Sequence, residues 1–320
     1  MGRVLITTSL FPEVIERLRQ AGHEVDVREG LPSLDAVADI HALICPLSLP
    51  VQADLLDAAP QLRIVANLGV GVDNIDLKAA SARGVLVSNT PDVLTEATAD
   101  LGWALLLAVA RRIVETDGEL RAEGFPGWVF LPPHLGVDVY GRTLGVVGFG
   151  RIGQAVARRG HGFAMNLLYA SRSRKPDAEK ALGARCVSLN ELLQQSDFVV
   201  LCVPLTSETR HLIGGRELRL MKKDAILVNI ARGPVLDEAS LVSALRDGTI
   251  RGAGLDVFED EPRVHPGLLE LKAVVLTPHI GSATAATRRS MATLASDAVL
   301  AVFAGGRPAN LVNPLAARSG

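Results

Sequence analysis

The sequence is poor in aromatic residues, in cysteine and in long apolar segments. Aromatic residues make up 4% of the 320 residues, so any core must rest on Val, Leu, Ile and Ala. The three cysteines, Cys45, Cys186 and Cys202, are widely scattered and form no C-x-x-C pair. This spacing excludes a disulfide framework and a structural zinc site, and no other metal is indicated. We therefore expect a reduced, cytoplasmic protein.

Neither a membrane nor a nucleic acid is an expected partner. The longest apolar stretch, around 101–110, has roughly half the length that crosses a bilayer. The apolar run at the N-terminus is too short for a signal sequence and is followed by Pro12 and Glu13, so it predicts a first β-strand. The net charge is −2 with both signs mixed, which leaves no broad basic face for a phosphate backbone.

Short β-rich runs alternate with helical patterns along the chain. A length of 320 residues with 48% apolar residues predicts two domains. The predicted strands form one series at 4–8, 23–27, 41–45, 63–67 and 86–89, and a second at 143–149, 166–170, 184–188, 197–203, 225–230, 253–258 and 274–280. Such alternation indicates parallel strands joined by helical crossovers. Long helical patterns at roughly 93–112 and 283–304 suggest that the chain begins one domain, builds the second and then returns.

A glycine pattern follows the first strand of the second series. Gly148, Gly150 and Gly153 form G-x-G-x-x-G between a predicted strand and a predicted helix. In that context Gly148 permits the turn, Gly150 lets a pyrophosphate approach and Gly153 allows close packing of helix on strand. The sequence therefore predicts a dinucleotide site at this turn, although an ordinary glycine-rich turn would have the same composition.

The segment YASRSRKP bears on which dinucleotide is used. An NAD site usually has an acidic residue at the end of the next strand, where it binds the ribose hydroxyls. This sequence has Ser171 and Arg172 there, with Arg174 two positions later. Such residues suit a 2′-phosphate, which a carboxylate would repel. We predict a preference for NADP(H), with NAD(H) also possible; the alternative is a solvated basic loop.

Three further candidates follow strands of the second series, at the carboxyl ends where ligands collect in α/β sheets. Arg232 comes directly after the apolar run 225–230, and a guanidinium there can grip a carboxylate or form a structural ion pair. His279 and Glu261 are each unremarkable alone, as a packing histidine and a loop acid. Together they fit reduction of a carbonyl, because an acid must deliver a proton to oxygen and an adjacent carboxylate favours the imidazolium.

These segments together resemble the D-isomer-specific 2-hydroxyacid dehydrogenases over roughly residues 40–313. The resemblance is carried by NLGVGVDNID (67–76), GRTLGVVGFGRIGQAVARR (141–159), SDFVVLCVPLT (196–206), NIARGPVLDE (229–238), AGLDVFEDEP (253–262) and LTPHIGSAT (276–284). It implies an α/β fold of two doubly wound parallel-sheet domains with the active site in the cleft between them. The flavodoxin-like substrate domain would comprise 1–97 plus 283–320, and the Rossmann cofactor domain 98–282.

The resemblance also implies roles for individual residues. Arg232 would bind the substrate carboxylate, His279 would donate and accept the proton, and Glu261 would pair with His279. The backbone amides of Val70 and Gly71 would hold the same carboxylate. Further cofactor contacts are implied for Thr98, Arg151, Ile152, Val203, Pro204, Ile230, Asp256 and Gly281.

Within the family, YASRSRKP and TPDVLTEATAD (90–100) are similar to the glyoxylate/hydroxypyruvate reductases. This similarity implies reduction of a small 2-keto acid to the D-2-hydroxy acid by a homodimer. Those enzymes often have a tryptophan near the substrate from the partner subunit, and Trp128, Pro132 and Pro133 are the candidates for that position.

Two other functions remain open. One is another D-2-hydroxyacid dehydrogenase such as a short phosphoglycerate dehydrogenase, which the absence of basic residues from CPLSLP (45–50) disfavours. The other is a dinucleotide-sensing, corepressor-like protein that binds cofactor with negligible turnover. The set of Arg232, Glu261 and His279 favours an enzyme.

Overall fold

The chain divides into two compact units in the computed structural model, which describes residues 1–313. The first unit comprises Met1–Leu94 and the segment from Ala283 onwards, and the second comprises Thr95–Ser282. The boundary expected after residue 97 falls inside the helix with which the second unit begins. Each unit has its own parallel sheet, and each is described by itself below.

Strands and helices alternate along most of the chain. The strands are β1 (Arg3–Ile6), β2 (Glu24–Val27), β3 (Ala42–Pro46), β4 (Ile64–Leu68), β5 (Leu86–Ser88), β6 (Thr143–Val147), β7 (Asn166–Ala170), β8 (Arg185–Cys186), β9 (Phe198–Leu201), β10 (Ile226–Asn229), β11 (Gly252–Leu255) and β12 (Val274–Leu276). The helices are α1 (Pro12–Gln20), α2 (Ala53–Ala58), α3 (Leu77–Ala82), α4 (Thr95–Ala110), α5 (Ile113–Glu123), α6 (Arg151–Gly160), α7 (Pro176–Leu182), α8 (Leu189–Gln195), α9 (Gly215–Leu220), α10 (Glu238–Arg246), α11 (Pro266–Leu269) and α12 (Ala285–Phe303).

The first unit is a five-stranded parallel sheet in the order β2-β1-β3-β4-β5. This is the flavodoxin-like order, in which the connections reverse direction between β1 and β3. β4 is buried along its whole length, as expected for a strand covered on both faces. One covering helix is α12, whose buried face packs against β3, β4 and α1. The late segment of the chain thus completes the core of its early segment.

The second unit is a seven-stranded parallel sheet in the order β12-β11-β10-β9-β6-β7-β8. Counted from β6, this is the Rossmann order extended by one strand, and its direction reverses between β6 and β9. α4 packs against β10, β11, β12 and α6, so a helix of mostly apolar residues is buried on much of its surface. The two sheets confirm the predicted fold class.

The segment between α4 and β6 differs most from expectation. No helix is predicted there from the sequence, yet the segment contains the helix α5, which buries none of its residues. Without a buried apolar face, α5 leaves no hydrophobic periodicity in the sequence. Within residues 1–313, no helix combines the length and the apolar character needed to cross a bilayer.

Candidate active site

The turn between β6 and α6 has the geometry expected of a dinucleotide site. Gly148 has a φ of 94°, a left-handed conformation that favours glycine. A Cβ on Gly153 would overlap the carbonyl oxygen of Gly148, so α6 packs directly on the turn. A Cβ on Gly150 would meet nothing within 4 Å, which leaves that side of the turn open. The turn fits a pyrophosphate approaching bare backbone.

The start of α6 adds an electrostatic reason for this fit. Arg151 and Ile152 form its first turn, and no side chain caps the helix at Gly150. The first N–H groups of a helix lack partners within it and carry partial positive charge. An uncapped helix start beside an open glycine turn is a suitable place for an anionic phosphate group.

The residues that follow β9 lie against the same turn. A Cβ on Gly148 would lie 2.6 Å from the carbonyl oxygen of Cys202 and 2.8 Å from a methyl group of Val203. Pro204, the next residue, is exposed. The structure therefore brings Val203 to Gly148, at the reversal point where ligands bind in sheets of this kind.

The loop after β7 carries the predicted 2′-phosphate residues. The hydroxyl of Ser171 donates to the carbonyl of Ser173 at 2.6 Å. Arg172 is exposed, and Arg174 forms an ion pair with Glu179 at 2.5 Å. The two arginines therefore have different surroundings, although the sequence made them look alike.

Arg232 lies three residues after the end of β10, and the buried Asn229 makes hydrogen bonds to the backbone there. Asn229 is fully buried, and its amide nitrogen donates to the carbonyl of Arg232 at 3.0 Å. Its amide oxygen accepts from the N–H of Ala231, also at 3.0 Å. The guanidinium of Arg232 donates to the carbonyl of Ala231 at 2.8 Å. Ile230, just before, packs within reach of α4 at Gly102.

Asp256 organises the turn that carries His279. Its carboxylate is 2% exposed and accepts from the hydroxyl of Thr277 at 2.7 Å and from the N–H groups of Ile280 and Gly281 at 2.8 Å each. Burial raises the pKa of Asp256, and these three donors act against the rise. Thr98 of α4 lies beside Gly281, so the structure brings three predicted cofactor residues together.

His279 adopts an uncommon backbone conformation within this turn. Its φ is 53°, in the left-handed region that non-glycine residues rarely adopt. Its N–H donates to the carbonyls of Asp256 at 2.8 Å and Thr277 at 3.1 Å. The surrounding hydrogen bonds hold the strained conformation and so fix the direction of the imidazole.

His279 and Glu261 meet across the ends of β11 and β12. Nδ1 of His279 lies 3.0 Å from Oε2 of Glu261, and the two side chains are 32% and 38% exposed. Burial raises the pKa of Glu261, but hydrogen bonding and charge from His279, the N–H of Phe258 and the charge of Arg232 together hold it below its usual value. The acid is thus an anion beside Nδ1, and Nε2 lies on the other side of the ring.

A second acid supports the loop that holds Glu261. Glu238, the first residue of α10, is buried, and its carboxylate accepts from the N–H of Glu259 at 2.8 Å. The N–H of Phe258 donates to Glu261 at 3.1 Å. Gly233 lies so close to the backbone of Phe258 that a Cβ there would overlap it. The loop is therefore held from the β10 side as well.

Val70 and Gly71 lie in the first unit, directly after β4. Their carbonyls accept from Asn89 and Asn67 respectively, at 2.8 Å each. No hydrogen bond from the N–H of either residue is found among residues 1–313. Two neighbouring backbone N–H groups that bind no acceptor among the described residues are a suitable pair of donors for an anionic group.

The second unit contains a group of three possible metal ligands. Donor atoms of Glu115, Glu119 and His134 lie within 4.8 Å of one another. Glu115 already accepts two hydrogen bonds from Arg112, at 2.7 and 2.9 Å, and these cationic contacts occupy its oxygens. We assign no ion to this group.

Sequence reasoning missed several residues that hold the site in place. Asn229, Glu238 and Thr277 are polar residues at the ends of apolar segments, and that position was the available signal. The partner of Arg174 was also missed, because Glu179 reaches it only through the start of α7. These residues position others and were therefore invisible to a search for reactive groups.

The second unit matches a known family. Residues 103–281 match the model of the D-isomer specific 2-hydroxyacid dehydrogenase, NAD binding domain. The glyoxylate reductase of Thermococcus kodakarensis is 53% identical to the chain, covering 97% of it and 96% of its own length. The chain belongs to the D-isomer-specific 2-hydroxyacid dehydrogenase family.

Two solved family structures resemble the whole chain. The NADPH-dependent glyoxylate/hydroxypyruvate reductase of Sinorhizobium meliloti, in complex with NADP and malonate, is 36% identical, with a TM-score of 0.88 over 100% of this chain and 99% of its own. The D-lactate dehydrogenase of Aquifex aeolicus, complexed with NAD and lactic acid, is 28% identical, with a TM-score of 0.88 over 98% and 100% of the two chains.

Family membership confirms the predicted oxidoreductase class. A D-2-hydroxyacid dehydrogenase uses a nicotinamide dinucleotide and a small 2-keto or 2-hydroxy acid, and the glycine turn at the start of α6 supplies the expected phosphate-binding feature. The expected family and Rossmann domain are therefore both confirmed.

Proposed function

We propose that this dehydrogenase reduces glyoxylate or hydroxypyruvate to glycolate or D-glycerate, with NADPH as the preferred reductant. The observation that carries the proposal is the His279–Glu261 pair, 3.0 Å apart, with the charge of Arg232 acting on the same carboxylate. It lies in the unit that matches the family's NAD-binding domain. The relatives from Thermococcus kodakarensis and Sinorhizobium meliloti, both named for glyoxylate reduction, support this choice of substrate.

Arg232 binds and orients the keto acid in this proposal. A guanidinium can donate two parallel hydrogen bonds to a carboxylate, and it stays charged at every working pH. It also offsets negative charge that develops on the keto oxygen during reduction. The amides of Val70 and Gly71 are the further carboxylate donors that we propose.

His279 delivers the proton. Glu261 binds Nδ1, which leaves Nε2 as the ring atom for the keto oxygen. The anionic Glu261 stabilises the imidazolium before transfer and fixes the ring afterwards. In the oxidative direction the same nitrogen accepts the proton from the hydroxy acid.

The cofactor would be held by the second unit alone. Bound reduced nicotinamide supplies the hydride that reduces the carbonyl carbon. Gly148, Gly150 and Gly153 with the start of α6 would bind its pyrophosphate, and the remaining contacts proposed are Thr98, Arg151, Ile152, Val203, Pro204, Ile230, Asp256 and Gly281. Asp256 also positions His279, because it bonds the turn on which His279 lies.

The NADPH preference rests on the loop after β7. Ser171 and Arg172 occupy the place where an NAD enzyme usually has an acid, and Arg172 is exposed at its end. Arg172→Ala should lower kcat/KM with NADPH by roughly 10–100-fold, the range for a lost charged hydrogen bond, and leave NADH nearly unchanged. Equal losses with both cofactors would refute this assignment.

We also propose a homodimer formed through the second unit. The segment around 125–131 leaves Phe125, Trp128, Phe130 and Leu131 at least 74% exposed. Monomeric proteins seldom leave so many large apolar side chains in water. Light scattering should give twice the chain mass, and Trp128→Ser with Phe130→Ser should give monomers; a monomeric parent protein refutes the proposal.

The proposed location is the cytoplasm. The three cysteines are free thiols, as is usual in a reducing compartment. Fractionation of the source cells tests this, and recovery of the protein outside the cytoplasmic fraction would refute it.

The decisive assay compares glyoxylate, hydroxypyruvate, pyruvate and 3-phosphohydroxypyruvate with both reduced cofactors. Glyoxylate and hydroxypyruvate with NADPH should give the highest kcat/KM. A preference for the phosphorylated acid would favour a phosphoglycerate dehydrogenase. Cofactor binding without turnover of any acid would favour a dinucleotide-sensing role.

A further inference from the structure

The two arginines of the loop after β7 are bound in different ways. Arg174 donates to Glu179 through two nitrogens, at 3.1 and 2.5 Å. Arg172 has no hydrogen bond or ion pair among the described residues, although its charge reaches Glu208 in the loop after β9. Hydrogen bonds from Thr206 and from the backbone of Glu208, together with the charge of Arg172, lower the pKa of Glu208. Within residues 1–313, Arg174 is therefore the one of the two arginines whose guanidinium is bound to a protein partner.

A buried tyrosine ties Glu179 to the strand. Tyr169 is fully buried, and its ring stacks on Phe149 with the centroids 4.0 Å apart. Its hydroxyl donates to Oε1 of Glu179 at 2.5 Å and accepts from the N–H of Lys175 at 2.9 Å. The end of the loop and the carboxylate that holds Arg174 are thus fixed to the core of the second unit.

Glu179 is an anion at any working pH. Hydrogen bonds from Arg174 and Tyr169 lower its pKa to about 2. An uncompensated carboxylate near the end of this strand favours the ribose hydroxyls of NAD and repels a 2′-phosphate. The loop therefore contains the kind of charge that disfavours NADPH, and Arg174 lies directly on it.

We infer that Arg174 controls cofactor choice indirectly, as a positioning residue. It neutralises Glu179 and, with Tyr169, fixes the loop so that Arg172 is the arginine that binds the 2′-phosphate. This inference rests on the proposed preference for NADPH. Arg174 donates two of its five N–H groups to Glu179, and that carboxylate offsets its charge, so its guanidinium attracts a second anion less strongly than an unneutralised one does. The guanidinium of Arg172 donates to no residue in the described part of the chain.

Charge rescue separates this role from direct binding. The measured quantity is the ratio of kcat/KM with NADPH to kcat/KM with NADH, for the full-length protein and glyoxylate. Arg174→Ala exposes the carboxylate and should lower the ratio roughly fivefold, the upper range for a screened surface charge. Adding Glu179→Gln to that variant removes the exposed charge and should restore the ratio to within about twofold of the parent protein.

Arg172→Ala provides the contrasting case. The ratio of this variant should stay low when Glu179→Gln is added, because the second substitution does not replace the guanidinium that binds the 2′-phosphate. Arg246→Ala is the matched control. It breaks an ion pair of 2.7 Å between Arg246, the last residue of α10, and Glu270, and it should leave the ratio unchanged. Thermal melting and kcat/KM with NADH show whether each variant is folded.

Two results overturn the inference. If Arg174→Ala stays low after Glu179→Gln is added, then Arg174 binds the phosphate directly. If Arg174→Ala leaves the ratio unchanged, it has no part in cofactor choice. A parent protein that uses NADH at least as well as NADPH refutes the proposed preference alone; the fall and rescue of the ratio still decide the role of Arg174.

Discussion

Nδ1 of His279 lies 3.0 Å from Oε2 of Glu261, although 18 positions separate the two residues in the sequence. The pair forms because β11 and β12 are parallel neighbours whose carboxyl ends lie at the same edge of the sheet. Asp256 accepts a hydrogen bond from the turn that carries His279, and Glu238 accepts one from the loop that carries Glu261. The contact leaves one imidazole nitrogen for chemistry and assigns the other to the acid.

Glu261→Gln should shift the pH dependence of reduction. The parent acid has a lowered pKa, so its charge is present at neutral pH and is lost only as pH falls through that lowered value. Glutamine cannot titrate, so the fall in kcat/KM that accompanies protonation of Glu261 on the acid side should be absent from the variant. Steady-state profiles of both proteins test this, and superimposable limbs would contradict the assigned role of Glu261.

Arg232 should be sensitive to the shape of its side chain as well as to its charge. Arg232→Ala should lower kcat/KM for the keto acid by roughly 10²-fold, and Arg232→Lys should recover only part of it, because an ammonium lacks the paired donors. The dissociation constant of the cofactor should stay the same in both variants. Full activity in Arg232→Lys would mean that the paired N–H donors of the guanidinium have no role.

Asp256→Asn should disturb the turn that carries His279. An amide keeps one acceptor oxygen but turns an NH2 group towards a donor, so one of the three contacts of Asp256 becomes unfavourable. We expect a loss of about 1–3 kcal/mol in stability together with a lower kcat. Thr277→Val, which removes a single donor, should have a smaller effect on both. An Asp256→Asn protein with unchanged melting and kcat would contradict the proposed support.

Three glycine substitutions should separate folding from cofactor binding. Gly153→Ala puts a methyl group into the carbonyl of Gly148 and should lower both stability and cofactor affinity. Gly150→Ala projects into open space, so melting should barely change while cofactor affinity falls. Gly162→Ala also has open space and serves as the control. Unchanged affinity in Gly150→Ala, measured by cofactor fluorescence titration, would argue against the pyrophosphate site.

The strands could be predicted from the sequence, and the candidate reactive residues could be proposed from it, because each has a local signal. NLLYA coincides with β7, since the four residues after the exposed Asn166 are buried and mostly apolar, as expected of a strand covered on both faces. The glycine turn and the segments around Arg232 and His279 likewise depend on short motifs. The expected place of each motif at a strand end then follows from parallel topology.

The positioning contacts could not be predicted in this way. That Glu179 pairs with Arg174, and not with another cation, depends on how α7 begins and on the burial of Tyr169. The helix α5 was missed because it buries nothing, so its residues carry no apolar period. Neither the choice of Glu179 as the partner of Arg174 nor the presence of α5 is specified by residues that are adjacent in the sequence.

The most direct test of the central claim is the rate of glyoxylate reduction by the parent protein and by His279→Ala, each with saturating NADPH. The parent protein should turn over, and the variant should be slower by roughly 10²–10⁴-fold, as expected for a lost acid–base group, while binding the cofactor equally well. A folded variant that reduces glyoxylate at the parent rate would contradict the mechanism. A parent protein that binds NADPH but reduces neither glyoxylate nor hydroxypyruvate would contradict the proposed function itself.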